Sequence, residues 1–244
     1  MKVERRITTV VLLAAGTGSR LRPLTLDAPK CLTMIKGKPI LQHLLDTFRI
    51  QGIKKIIVAT GYLEHRIREY LEQHASDMVI EYIFNANYQI TNNIYSLWLT
   101  RQVIQEDFIL MESDLVFDSS LLDDMMYPNR IAVSNILPWM NGTTVSLDNN
   151  HKVNIFHMSA NVSNNPHYKT VNICSLSLGS WYKVLDRLDN YISAKNLNTY
   201  YEAVFADLVA NKTLSFEAIM FDEKKWYEID TIEDLEAAEK LFSR

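Results

Sequence analysis

Three cations follow a glycine turn, the first and last of them ten positions apart. In "LLAAGTGSRLRPLTLDAPKCL", residues 12–32, Gly16 and Gly18 are succeeded by Arg20, Arg22 and Lys30. A glycine turn at a strand exit opens backbone N–H groups toward an anion. Guanidinium and ammonium groups close behind it favour a polyphosphate as the anion to be met, whereas a single cation would read as ordinary surface charge. Neither of two familiar phosphate motifs is present. Leu21 stands where a dinucleotide fingerprint needs its third glycine, and no acidic residue ends the second strand near position 60. The G-x-x-x-x-G-K-[ST] spacing is also missing. The N-terminus imitates a secretory signal, with basic "MKVERR", apolar "ITTVVLL" and small "AAG". Cleavage there would strip the first strand from the βα unit that follows, so the strand reading is preferred.

The elements that must position this loop can be read from periodicity. "ITTVVLLAAG" is a continuous β-branched run ending in a turn, the pattern of a buried strand. "PILQHLLDTFRIQ" spaces its apolar residues as a helix, and Gly52 ends it. The alternation continues through the strand "KKIIVATG", the helix "LEHRIREYLEQHA" and the strand "MVIEYIFN", then the helix "NIYSLWLTRQVI" and the strand "DFILMES". Strands alternating with helices predict a mostly parallel sheet covered on both faces. Right-handed crossovers then collect the loops after the strands on one edge. Residues from about 130 to 178 are β-rich, with a hairpin signal at Asp148-Asn149-Asn150. Helical patterns return in "SWYKVLDRLDNYISA", "NTYYEAVFADLVA" and "IEDLEAAEKLF", the last preceded by "LSFEAIMF" and "WYEID".

Composition sets bounds on the function. With 244 residues, 48% hydrophobic and 22% charged, the chain suits one soluble domain. A net charge of −4 argues against broad nucleic-acid binding. Cys31 and Cys174 are too few for a disulfide framework and read as reduced thiols of a cytoplasmic protein. No apolar run approaches the roughly 20 residues that cross a bilayer. None of the six histidines has a metal-ligand spacing such as H-E-x-x-H.

The loop residues carry a specific resemblance. "LAAGTGSRLRPLTLDAPK" matches every fixed position of L-A-A-G-x-G-x-R-L-x-P-L-T-x-x-x-P-K, the signature of nucleotidyltransferases that make nucleotide-activated sugars and alcohols. The resemblance implies a single Rossmann-like α/β nucleotidyltransferase domain over residues 1–244, a mixed, mostly parallel sheet with a β-rich acceptor-site insertion. About 1–128 would bind the nucleotide, and about 129–244 would bind the acceptor and supply the second metal ligand. It implies that Leu13, Ala14, Ala15, Gly16 and Gly18 hold the nucleotide. Arg20 would grip the β- and γ-phosphates, and Lys30 the α-phosphate and the acceptor's phosphate. Arg22 reads equally well as a solvated loop arginine. A nucleoside triphosphate needs Mg²⁺, a cation that prefers carboxylate oxygens. The family's metal ligands match Asp114, in "FILMESDLVF", and Asp230, in "WYEIDTIEDL". Each acid taken singly would read as a turn residue or a helix cap. Glu112, on the same side as Asp114 by strand alternation, is expected to stand behind the metal.

The resemblance narrows further. "TNNIYSLWL" is similar to a segment of cytidylyltransferases that act on phosphocholine and on 2-aminoethylphosphonate. "YKTVNICSLSL", "YYEAVF" and "WYEIDTIEDLEAAEKLF" are most similar to the latter. The implied partners are CTP and a small zwitterionic phosphonate or phosphate, with no nucleic acid and no membrane, and with a homodimer left open. Asn92, Asn93 or Ser96 is expected to hold cytidine or its ribose, although helix capping explains Asn92 as well. Lys169 is expected to pair with the acceptor's phosphonate. Tyr201 and Glu202 combine an aromatic face with a carboxylate for its ammonium; Trp139, Tyr200 and Trp226 are further aromatic candidates. An ionised phosphonate is already a nucleophile, so the chemistry needs two anions brought together rather than a general base. The competing readings are a sugar-1-phosphate nucleotidyltransferase, whose glutamate-lysine-proline pocket pattern is missing, and a catalytically silent nucleotide sensor. Against the sensor stand the complete cation and carboxylate sets.

Overall fold

Alternation within the first strand explains the layering of the fold. All six residues of β1 (Thr9–Ala14) are buried. Val10 and Leu12 join one apolar cluster while Val11 and Leu13 join another, so the strand needs cover on both faces. The computed structural model describes residues 6–137, 140–158, 167–222 and 225–242. After β1 come a two-residue hairpin, β2 (Met34–Ile35) and β3 (Lys38–Pro39), then α1 (Ile40–Gln51), β4 (Lys55–Thr60), α2 (Glu64–His74), β5 (Val79–Phe84), α3 (Asn93–Leu99), β6 (Phe108–Glu112) and β7 (Leu115–Phe117). The β-rich segment contributes β8 (Arg130–Asn135), β9 (Thr144–Leu147), β10 (Val153–His157) and β11 (Tyr168–Leu176). Helices α4 (Leu178–Ser193) and α5 (Glu202–Ala210) follow, then β12 (Glu217–Met220), β13 (Trp226–Glu228) and α6 (Ile232–Leu241).

β6, β1, β4 and β5 lie side by side and parallel, so the turns after them gather at one edge of the sheet. β11 then pairs antiparallel with β6, and β8, β9, β10 and β12 extend the same sheet. α1 and α2 cover one face with Leu41, Leu44, Phe48, Ile67 and Leu71. α3, α4 and α5 cover the other with Ile94, Leu97, Trp181, Leu188, Val204 and Phe205. The Asp148 turn closes the β9–β10 hairpin: its carboxylate accepts from the Asn150 and Lys152 N–H groups. Gly52, at φ 75°, takes the left-handed cap that ends α1.

Two helices are shorter than their apolar spacing predicts. α3 gives way at Thr100 to a single 3₁₀ turn, where the Thr100 hydroxyl donates back to the Leu97 carbonyl. α5 starts only at Glu202, because Leu197 accepts from the Asn92 N–H and Asn93 accepts from the Tyr201 N–H. Those bonds hold the preceding segment against the start of α3. The ribbon of β7 with β13, antiparallel and outside the main sheet, had no signal in either three-residue strand.

Candidate active site

The glycine loop is fixed by its own side chains. Gly18 sits at φ 61°, and a Cβ there would press on Lys30 Cβ and Thr25 Cγ2, both at 3.1 Å. The Thr25 hydroxyl donates to the Gly18 carbonyl at 2.8 Å, and the Tyr62 hydroxyl donates to the Thr25 and Leu26 carbonyls. Gly61, just past β4, packs closer still. A Cβ at this position would lie 2.6 Å from the Ala15 carbonyl oxygen and 2.7 Å from Tyr88 Cβ. Gly61→Ala is therefore expected to push the loop aside and destabilise the chain by about 1–3 kcal/mol, measured by urea denaturation. Wild-type stability in that variant would show that the loop yields freely.

At the sheet edge the strand exits enclose a cavity of about 480 Å³. Leu13, Ala14, Ala15, Gly16, Gly18, Arg20 and Lys30 line it from the first loop. Asn92, Asn93 and Ser96 line it from the start of α3, and Asp114, Lys169, Glu202 and Asp230 from the remaining walls. Arg22 is exposed and does not line it. Trp139 lies outside the described residues. Tyr201 departs from expectation: it is 3% exposed, is absent from the cavity wall and meets Phe205 edge-on in the core. Its neighbour Tyr200, 54% exposed, lines the cavity instead. The signal was available, since Tyr201, Val204, Phe205 and Leu208 recur at helical spacing and share the buried face. Trp226 is likewise a core residue.

Lys30 is the electrostatic centre. Its Nζ donates to Asp114 Oδ2 and to Asp230 Oδ1, both at 2.6 Å, and Arg20 Nη2 reaches Asp230 Oδ1 at 2.8 Å. Burial works against the Lys30 ammonium, but the two carboxylates outweigh it and hold its pKa above the ordinary lysine value. Burial also works against the charge on Asp230, and there Lys30 and Arg20 win, keeping it below the usual carboxylate range. The β7–β13 ribbon creates this meeting. Leu115 pairs with Glu228, and the Ile229 N–H donates to the Asp114 carbonyl, so the two aspartates flank one short ladder.

Asp114, Glu228 and Asp230 each offer an oxygen within 4.8 Å of the others. Asp114 Oδ1 is buried with no hydrogen-bond partner. An all-oxygen carboxylate set with a spare buried lone pair fits a hard divalent cation such as Mg²⁺.

Farther in, acids predominate. Glu112 accepts from Asn93 Nδ2 at 3.0 Å, and burial with Asp114, Glu202 and Glu228 nearby pushes its pKa well up. Glu228 accepts from Asn172 Nδ2 at 3.0 Å and lies 3.5 Å from Lys169 Nζ. Burial lifts Glu202 to about 7, and its Oε2 has no partner although the residue is 7% exposed. Lys169 also donates to the Thr170 carbonyl at 2.6 Å. Sequence reasoning missed Glu228 and Asn172. Asn172 takes φ 57° where the β11–β8 register shifts, and this bulge lets it reach Glu228. Asparagine tolerates that conformation, but nothing in "KTVNICS" announces it. Asn85, also unanticipated, donates from Nδ2 to Thr91 Oγ1 and Ser96 Oγ. The Asn92 side chain caps α3 by accepting from the Asn93 N–H, and Asn93 ties Glu112 to the Tyr201 N–H.

Known proteins resemble this chain in sequence and in fold. Residues 9–130 match the family described as Nucleotidyl transferase. The CMP-5'-(3-aminopropyl)phosphonate synthase of Streptomyces rubellomurinus is 28% identical over 96% of this chain and 38% of its own length. The choline-phosphate cytidylyltransferase of Streptococcus pneumoniae is 30% identical over 47% of this chain and 48% of its own. This chain therefore spans less than half the length of either relative in the matched region. The solved structure of the Streptococcus pneumoniae CTP:phosphocholine cytidylyltransferase superposes with a TM-score of 0.80 at 22% identity, covering 98% of this chain and 100% of that one. A UDP-glucose pyrophosphorylase bound to UDP-glucose gives 0.81 at 15% identity, covering 97% and 98%. Both share the α/β fold.

Proposed function

The chain belongs to the nucleotidyl transferase family, and from that premise we propose that it is a cytidylyltransferase that transfers CMP from CTP to 2-aminoethylphosphonate, releasing pyrophosphate. The observation that carries this reading is the sharing of one cavity by two sets of charges. Arg20 and Lys30 stand at the glycine loop, while Lys169 and Glu202, whose Oε2 has no hydrogen-bond partner, line the same cavity from other elements. A polyphosphate suits the first pair, and a molecule with an anion at one end and an ammonium at the other suits the second. The likeness to the aminopropylphosphonate enzyme, over 96% of this chain, supports the same acceptor chemistry.

In this reading the phosphonate oxygen attacks the α-phosphorus of CTP, the bond to the β-phosphate breaks, and pyrophosphate leaves. The backbone N–H groups of Gly16–Gly18 and the Arg20 guanidinium hold the triphosphate, and Lys169 orients the phosphonate. Asn92, Asn93 and Ser96 border the space left for cytidine, with Asn85 fixing Ser96. Mg²⁺ held by Asp114 and Asp230 would supply positive charge for the phosphates. None of these steps requires a general base. Phosphocholine is the second reading, favoured by the choline-phosphate relative. Against it, Tyr88 and Tyr200 are the aromatic residues lining the cavity among those described, whereas a quaternary ammonium calls for an aromatic cage.

Pyrophosphate release, measured across four nucleoside triphosphates and a panel of acceptors, tests the assignment. CTP with 2-aminoethylphosphonate is expected to turn over fastest, and ethylphosphonate, which lacks the amine, far more slowly. Equal turnover of ethylphosphonate, or a strong preference for glucose-1-phosphate, would remove the ammonium pocket from the account.

A further inference from the structure

The placement of Lys30 has a consequence for how the site is loaded. Its ammonium lies 2.6 Å from one oxygen of Asp114 and 2.6 Å from one oxygen of Asp230. The side chains of all three residues are at most 15% exposed. Both aspartates belong, with Glu228, to the carboxylate set able to hold a divalent cation. Magnesium binds oxygen at about 2.0–2.1 Å, so an ion bridging Asp114 Oδ2 and Asp230 Oδ1 would have to stand in the space the ammonium fills. Two cations cannot share it. Without Lys30, two carboxylates would face each other in a largely dry site, which is costly unless a cation takes its place.

We propose that Lys30 is a resident counter-cation. With Arg20 on Asp230 it offsets the charge of the Asp114–Asp230 pair in the resting protein, keeps divalent ions off it, and vacates it when an incoming polyphosphate offers the ammonium a stronger anion. Metal and nucleotide loading are thereby coupled, each favouring the other through the position of one side chain. The inference rests on the reading of Asp114 and Asp230 as metal ligands. It adds an order to loading that the composition of the site alone does not require. Lys30 also has a destination, because the root of its side chain lies against the glycine turn, where a Cβ on Gly18 would stand 3.1 Å from Lys30 Cβ. A phosphate held at that turn stands within the sweep of the lysine side chain.

The test is a Mn²⁺ titration of the nucleotide-free protein, read by the loss of the free-ion electron paramagnetic resonance signal. Lys30→Met is expected to bind Mn²⁺ at least about tenfold more tightly than the wild type, and to gain more thermal stability from the ion. Equal or weaker binding by a folded Lys30→Met protein overturns the proposal. A double variant, Lys30→Met with Asp230→Asn, is expected to lose the gain. If the gain survives there, the ion sits elsewhere, and the metal reading itself falls. For the nucleotide side, CTP binding is measured by calorimetry with metal removed by EDTA. Asp230→Asn leaves Lys30 with Asp114 alone and is expected to tighten metal-free CTP several-fold, an effect that vanishes in the Lys30→Met background. Equal tightening with and without Lys30 would overturn the transfer of its ammonium to phosphate.

Discussion

Asp114→Asn and Asp230→Asn are each expected to cut turnover by about 10²-fold or more while leaving the fold intact. Asparagine keeps the shape of the side chain but removes the charge that a divalent cation needs. Each loss is asymmetric. Asp230 is gripped by Lys30 and Arg20 together, whereas Asp114 holds only Lys30 among the described ion pairs and keeps a second oxygen with no partner. The fold tolerates the changes because Lys30 retains one carboxylate in either variant, and the β7–β13 ladder is made of backbone bonds. Steady-state pyrophosphate release, with circular dichroism as the folding control, checks both. Near-normal turnover in either folded variant takes that residue out of the metal site.

The second large effect belongs to the acceptor. Lys169→Ala and Glu202→Ala are expected to lower kcat/KM for 2-aminoethylphosphonate by tens- to thousands-fold, corresponding to about 2–5 kcal/mol for breaking a desolvated charge pair. The KM for CTP should move little, since the nucleotide has its own cations in the glycine loop. A matching loss for CTP would mean that the two residues act on the whole cavity and not on the acceptor. Glu202 also gives this effect a pH signature. With its carboxyl lifted to about 7, it is protonated in the empty site below that pH and cannot pair with an ammonium. Acceptor kcat/KM should therefore fall as pH drops through about 7. Stability runs the opposite way. A raised carboxyl favours the folded state at low pH, and that contribution is lost between the unfolded value near 4.5 and about 7. Glu202→Gln should accordingly melt higher than wild type at pH 8 while binding acceptor worse. A lower melting temperature at pH 8 would contradict the burial cost assigned to this carboxylate.

Legibility differed between scaffold and site. Strands such as Lys55–Thr60 and Phe108–Glu112 could be read directly, because short continuous apolar runs bounded by polar residues or a glycine turn have few other uses. The glycine loop was equally open, being local in sequence. What escaped depends on distance or on backbone detail. Glu228 lay inside the "YEID" stretch, yet its place beside Asn172 depends on a ribbon of three-residue strands and a bulge in β11. Tyr201 was misplaced for a different reason. Adjacent tyrosines look equivalent in composition, and only the helical register of α5 sends one inward and leaves the other outside.

The contact between Lys30 and Asp230 joins positions 200 residues apart, while that between Lys30 and Asp114 spans 84. During synthesis the lysine and the first aspartate can meet while much of the chain is still being made. The second aspartate arrives later, with β13. Three-residue strands are too short to close so long a loop unaided, so β13 must dock through its own buried Trp226 and Tyr227 together with the following Ile229. A ribosome-bound chain that has not yet released β13 thus carries the glycine loop and one carboxylate without the other. Such a nascent chain should be catalytically silent, and the onset of turnover would time the docking of β13.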